Sequence, residues 1–159
     1  MRSIKGRIGT VIVSVATVAA AWAIVTPAEA AGAMCHGKPA TIVGTSGPDQ
    51  IKGTPGRDVI QAKGGADQIW GLGGDDLICG SLGNDQIMSG IGRDKVYGGP
   101  GFDAISGGSG LDRLWGNGGP DQISGQSGND WLFGGHGLDQ GNGGAGTDVC
   151  RNVEQRVSC

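Results

Sequence analysis

From Gly44 the chain reads in nines, without a slip of register, for twelve blocks: GTSGPDQIK, GTPGRDVIQ, AKGGADQIW, GLGGDDLIC, GSLGNDQIM, SGIGRDKVY, GGPGFDAIS, GGSGLDRLW, GNGGPDQIS, GQSGNDWLF, GGHGLDQGN and GGAGTDVCR. The fourth position is glycine in every block, from Gly47 to Gly146, and the sixth is aspartate in every block, from Asp49 to Asp148. The eighth is Ile, Val or Leu in the first ten blocks, from Ile51 to Leu132. A unit this short cannot bury an apolar face by itself. It can do so only by stacking on copies of itself, which restricts the chain to a solenoid-like repeat architecture.

A second period lies over the first. Position 7 carries Gln50, Gln68, Gln86, Gln122 and Gln140 in odd-numbered blocks, with Ala104 the one interruption. Even-numbered blocks place Val59, Leu77, Lys95, Arg113 and Trp131 there, and their ninth position gives Tyr97, Trp115 and Phe133 in succession. Residues eighteen apart are therefore alike, and one coil is two nonapeptides. Positions 7 to 9 are expected to alternate outward, inward, outward as a short strand does. The position-8 aliphatics then meet between two parallel sheets, and positions 1 to 6 make the turns, where glycine permits positive φ and close backbone approach. The expectation is an all-β parallel β-solenoid with a glutamine ladder on one outer face and an aromatic ladder on the other.

Aspartate at position 6 carries the chemistry. Turn formation alone is served by Asn as well as Asp, yet Asn never occupies the position, although Asn84 and Asn129 stand beside it. The fold would place Asp49, Asp67, Asp85, Asp103, Asp121 and Asp139 in one column and Asp58, Asp76, Asp94, Asp112, Asp130 and Asp148 in another. Successive carboxylates one coil apart repel, and the scattered Lys and Arg residues cannot neutralise both columns. A hard divalent cation can. Carboxylates joined by backbone carbonyls in a flexible shell of six to eight oxygens suit calcium, whereas magnesium demands a tight octahedron and keeps its water.

These blocks resemble the haemolysin-type, or RTX, nonapeptide G-G-x-G-x-D-x-U-x, a calcium-binding repeat. The resemblance spans Gly44 to Arg151 and is closest in Gly98–Ser106 and Gly107–Trp115. It departs at position 2, where Thr45, Thr54, Lys63, Leu72, Ser81, Asn117 and Gln126 replace glycine, and at position 1, where Ala62 and Ser89 do. The resemblance implies a right-handed parallel β-roll with calcium between coils, each ion held by position-6 Asp and turn carbonyls of blocks two apart. The flanks, Cys35 with Ala40-Thr41-Ile42-Val43-Gly44-Thr45 before the roll and Cys150, Glu154 and Cys159 after it, resemble a subgroup of small exported repeat proteins.

The first thirty residues read as an export signal. Arg2, Lys5 and Arg7 precede the uncharged apolar run from Ile8 to Val25, and Ala28-Glu29-Ala30 supplies an A-x-A cleavage site. Ala31-Gly32-Ala33 is a second candidate site, and an uncleaved membrane anchor is the competing reading of the run. A lipoprotein fits worse, since bulky Met34 precedes Cys35. The expected division is signal peptide 1–30, lead-in 31–43, roll 44–151 and C-terminal cap 152–159, giving a secreted product with no membrane span after cleavage. Without Arg2, Lys5, Arg7 and Glu29, the twelve basic and fifteen acidic residues fall to nine and fourteen, which points away from nucleic acid. Four cysteines in an exported chain point to disulfides, with three pairings open. Cys150 and Cys159, nine apart beyond the last aliphatic position 8, suit a C-terminal cap, which leaves Cys35 to fasten the lead-in to Cys79.

No catalytic reading gains support. His136 sits at a variable turn position, neither H-E-x-x-H nor G-x-S-x-G occurs, and Gly141-Asn142-Gly143-Gly144-Ala145-Gly146 matches G-x-G-x-x-G only as repeat glycine. Thirteen residues between Ala30 and Gly44 leave no space for an appended enzyme. The expected function is structural calcium binding outside the cell. The alternative is a calcium-dependent adhesive or carbohydrate-binding module that uses Tyr97, Trp115, Phe133 and Trp131 against a glycan or cell-surface partner.

Overall fold

A computed structural model describes residues 32–159, so the expected signal peptide and its cleavage after Ala30 lie outside the described residues. The described chain is all β, with no helix long and apolar enough to cross a membrane. Two seven-stranded parallel sheets face each other. The glutamine sheet is built from Gln50–Lys52, Gln68–Gly73, Gln86–Gly92, Ala104–Gly110, Gln122–Ser127, Gln140–Ala145 and Gln155–Val157. The aromatic sheet is built from Ile42–Val43, Val59–Gln61, Leu77–Cys79, Lys95–Pro100, Arg113–Gly118, Trp131–His136 and Val149–Arg151. Neighbouring strands within the repeats pair at a spacing of eighteen, as in Ile87 with Ile105 with Ile123 and Val96 with Leu114 with Leu132. The chain alternates between sheets with every nonapeptide and completes a coil with every second one.

Position 8 is the core, as its pattern required. Ile51, Ile60, Ile69, Ile78, Ile87, Val96, Ile105, Leu114, Ile123 and Leu132 form one continuous buried cluster between the sheets. The strands run further than positions 7 to 9. In the central coils they continue into the next block, so position 1 also faces inward, and this corrects the expectation that positions 1 to 6 are all turn. Glycine is needed there for lack of space. A Cβ on Gly107 would lie 2.6 Å from Asp112 Oδ2 and 3.0 Å from the Gly125 carbonyl oxygen. Ser89, one of the two exceptions, is buried and donates its hydroxyl to the Gly107 carbonyl at 2.6 Å.

Both ends of the roll are closed. A small antiparallel hairpin, Met34–Cys35 with Lys38–Pro39, lies against the outer face of the aromatic sheet and is tied down by the Cys35–Cys79 disulfide. It buries Val59 and Leu77 in a second apolar cluster with Cys35, Ala40 and Val43. Position 7 in these two blocks was expected to be exposed, and the hairpin is what covers it. At the other end the Cys150–Cys159 disulfide forms as the spacing suggested. Block eleven has Gly141 at position 8, and the missing side chain makes room for Val153, which is buried in the core from the tail; a Cβ on Gly141 would lie 2.8 Å from Val153 Cγ1.

On the outer face of the aromatic sheet the rings stack on one another. His36 lies on Tyr97 with ring centres 3.5 Å apart, Tyr97 on Trp115 at 4.4 Å and Trp115 on Phe133 at 5.3 Å. Trp131, 43% exposed, carries the Arg113 guanidinium 5.9 Å from its ring centre. Both faces of Tyr97 and of Trp115 are thus occupied from within the molecule, as a cross-strand ladder that stabilises the sheet.

Candidate metal centre

The twelve aspartates of the repeat form the two expected columns, joined in series. Asp49 donates its backbone N–H to Asp67 Oδ1 at 2.8 Å, Asp67 donates to Asp85 Oδ1 at 2.9 Å, and so on to Asp139. The other column runs in the same way from Asp58 to Asp148. Each carboxylate from Asp67 onward therefore clips its own coil to the one before it. Beyond Asp139 the repeat has no further aspartate in that column, and Glu154 takes the place, its Oε2 accepting the Asp139 N–H at 2.7 Å. Eleven of the aspartates are buried, and Asp148 is half-buried.

The second oxygen of each carboxylate divides the set. Oδ2 of Asp67, Asp76, Asp85, Asp94, Asp103, Asp112, Asp121, Asp130, Asp139 and Asp148 is buried and has no hydrogen-bond partner. Each such atom carries a large desolvation penalty unless something positive meets it. In the first coil the penalty is removed internally. Asp49 Oδ2 accepts from Thr45 N–H at 2.6 Å and from Thr45 Oγ1 at 3.1 Å. Asp58 Oδ2 accepts from Thr54 N–H at 2.6 Å and from Thr54 Oγ1 at 3.0 Å.

Backbone conformation explains the division. Position 2 adopts positive φ from the third block onward, in Gly90, Gly99 and Gly108 but also in Lys63, Leu72, Ser81, Asn117 and Gln126, at 73° to 83°. Thr45 and Thr54 stay out of that region, as β-branched residues must. The five non-glycine departures at position 2 keep the common turn, and only the two threonines build a different one. The signal was present in the sequence as a β-branched residue at a position that elsewhere tolerates positive φ.

Burial is the first cause of the carboxyls' titration behaviour. It pushes Asp67 and Asp121 up to about 6, and Asp76, Asp103 and Asp112 up to about 7, against the lowering effect of the backbone N–H that each accepts. Neighbouring acidic residues push the same five further in the same direction. Asp85, Asp94, Asp130 and Asp139 are raised by burial as well. From Gly71 onward, an uncompensated Oδ2 and a backbone carbonyl oxygen flank the place that a Cβ would occupy on the position-1 glycine, as Asp112 Oδ2 and the Gly125 carbonyl do at Gly107. Among the described residues no three His, Cys, Asp or Glu side chains converge, so a cation held here takes its oxygens from carboxylates and backbone carbonyls together. That is a hard-oxygen donor set of the calcium kind.

The model of the RTX calcium-binding nonapeptide repeat matches residues 52–87, 88–123 and 115–150. The chain belongs to this family. Its repeats are a calcium-binding family's repeats, wound into a β-solenoid with the family's aspartate in every block. No curated protein and no solved structure matches the chain.

Proposed function

We propose that this RTX protein is a secreted calcium-binding protein whose roll is held together by Ca2+ between coils. The observation that carries the reading is the set of ten buried Oδ2 atoms without a partner. The residues that would hold the metal are Asp67, Asp76, Asp85, Asp94, Asp103, Asp112, Asp121, Asp130, Asp139 and Asp148, with turn carbonyls of the same and the following coil. Bound calcium supplies positive charge where buried carboxylates and carbonyl oxygens face one another. Asp49 and Asp58, satisfied by Thr45 and Thr54, serve as the capped first coil and need no ion on their own account. Two disulfides and a calcium requirement both fit the extracellular space, where thiols oxidise and calcium is plentiful. The chain is then disordered at cytosolic calcium and folds after export.

Tyr97 and Trp115, covered on both faces by neighbouring rings, favour this structural reading over a sugar-binding aromatic ladder, because a sugar needs a free ring face. The test is circular dichroism of the oxidised protein during a calcium titration, with stoichiometry from calorimetry. A cooperative rise in β signal with several ions bound is expected. A full β spectrum in excess EGTA, unchanged by millimolar calcium, would return the aspartates to turn chemistry.

A further inference from the structure

The formal charge of the chain conceals how its charges are distributed. Twelve of the acidic residues are the position-6 aspartates, lodged in the two columns. Outside the columns residues 32–159 hold only Asp75 and Glu154 as acidic side chains, and Glu154 is engaged with Asp139 N–H. All nine Lys and Arg residues of the same stretch are exposed. Once the columns are neutralised, the outer surface is basic. The net negative charge that points away from nucleic acid is therefore not the charge of the outer surface.

The cations are also gathered. A groove of about 640 Å³ runs along the flank of the aromatic sheet and is lined by Lys38, Arg57, Arg93, Lys95 and Arg113. Asp75 is the single exposed acid in its lining, and its Oδ1 already accepts the Arg93 backbone N–H at 3.0 Å. The buried Asp76, Asp94 and Asp112 lie along the same groove, so their neutralisation bears directly on its potential. Lys95 and Arg113 are register partners on adjacent coils, about 4.8 Å apart, and Arg57 and Arg93 are two coils apart, about 10 Å. The positive charges thus lie in two rows along the stack, Arg57 and Arg93 in one and Lys95 and Arg113 in the other. Three of the five are guanidinium groups, which take carboxylate or sulfate through two parallel hydrogen bonds.

We propose that this groove binds a linear polysaccharide bearing carboxylate or sulfate groups, with the polymer running along the stack of coils. Charge complementarity selects a polyanion. Of the rings that border the groove, Tyr97 has both faces covered and Trp131 carries Arg113, which disfavours single-stranded nucleic acid, a ligand that stacks successive bases on free aromatic faces. The inference rests on the calcium reading only in that ion-filled columns make the surface basic. It is independent of sugar stacking on the ladder.

The probes are dextran sulfate, carboxymethyl dextran, unmodified dextran and an oligothymidylate, each titrated into the full protein in excess calcium at fixed salt. Both charged dextrans should bind, more weakly as salt rises, and unmodified dextran should not. The double variant Arg57→Gln with Arg93→Gln, at exposed turn positions, should lose on the order of a hundredfold in affinity, with circular dichroism and calcium stoichiometry unchanged. Asp75→Asn, which keeps the acceptor for Arg93 N–H, should bind a few-fold more tightly. Wild-type affinity in the double variant, equal binding of unmodified dextran, or tighter binding of the oligothymidylate than of either charged dextran would overturn the proposal. A protein that folds and binds charged dextran without binding calcium would sink the calcium reading and leave the groove standing.

Discussion

Replacing Asp103 by Asn should move the stability of the protein in opposite directions with and without calcium. The side chain is fully buried, its Oδ1 accepts Asp85 N–H at 2.9 Å, and its Oδ2 has no partner. Burial raises its pKa from 3.8 to about 7, with Asp85 and Asp121 adding to the rise. At pH 8 without metal the folded state therefore holds this carboxylate at a disadvantage of about 4 kcal/mol relative to the unfolded chain. Asn keeps the Oδ1 acceptor, carries no charge, and places a donor where Oδ2 lacked one, near the Gly116 carbonyl. In EGTA, Asp103→Asn should therefore fold more readily, recovering about 2–4 kcal/mol once relaxation and sharing among the column are allowed for. With calcium the same change removes a ligand, and with it about 2.7 kcal/mol for a site filled at a hundred times Kd. The assay is circular dichroism with trimethylamine N-oxide as the folding agent in EGTA, and with calcium as the folding agent in its absence. The variant should need less osmolyte and more calcium than wild type, while exposed Asp75→Asn should change neither. A variant that folds less readily under both conditions would refute the reasoning, because the carboxylate would then be structural without its ion.

Acid should partly substitute for calcium. The shifted carboxyls bind more protons folded than unfolded, so metal-free stability falls as pH rises from 3.8 through about 6 to 7 and is greatest below that window. In EGTA the β signal should grow as pH is lowered from about 8 to about 5, and a signal that instead declines over this range contradicts the uncompensated columns. Asp49→Asn should leave calcium stoichiometry unaltered, whereas Asp112→Asn lowers it. Thr45→Ala should cost about 1 kcal/mol in the calcium-loaded protein, the usual loss for a removed side-chain cap, measured by urea denaturation.

What sequence reasoning reached and what it missed have physical causes. The alternation around position 8 and the eighteen-residue likeness fix the two sheets, because stacked coils must repeat their faces. The inward-facing position 1 escaped notice because glycine has no side chain to show a preference. The cap at Asp49 and Asp58 was legible, since Thr45 and Thr54 are the residues at position 2 least able to take positive φ. Burial of Val59 and Leu77 was not, because it depends on where the 34–39 hairpin folds back, and local pattern carries no information about that. The basic outer surface also escaped, because net charge counts residues without regard to depth.

The two-block coil gives the molecule a parity. Removing eighteen residues between Gly80 and Gly134 takes out one coil and returns every downstream residue to the face it occupied. Removing nine transposes the remainder, so that Phe133 joins the face of the glutamines and Gln140 joins the face of the rings. A lineage of such chains can lengthen or shorten freely in even steps, and an odd step must rebuild both outer faces at once. Length in this fold changes as whole turns of a screw, and any half turn is felt from the point of the cut to the last cysteine.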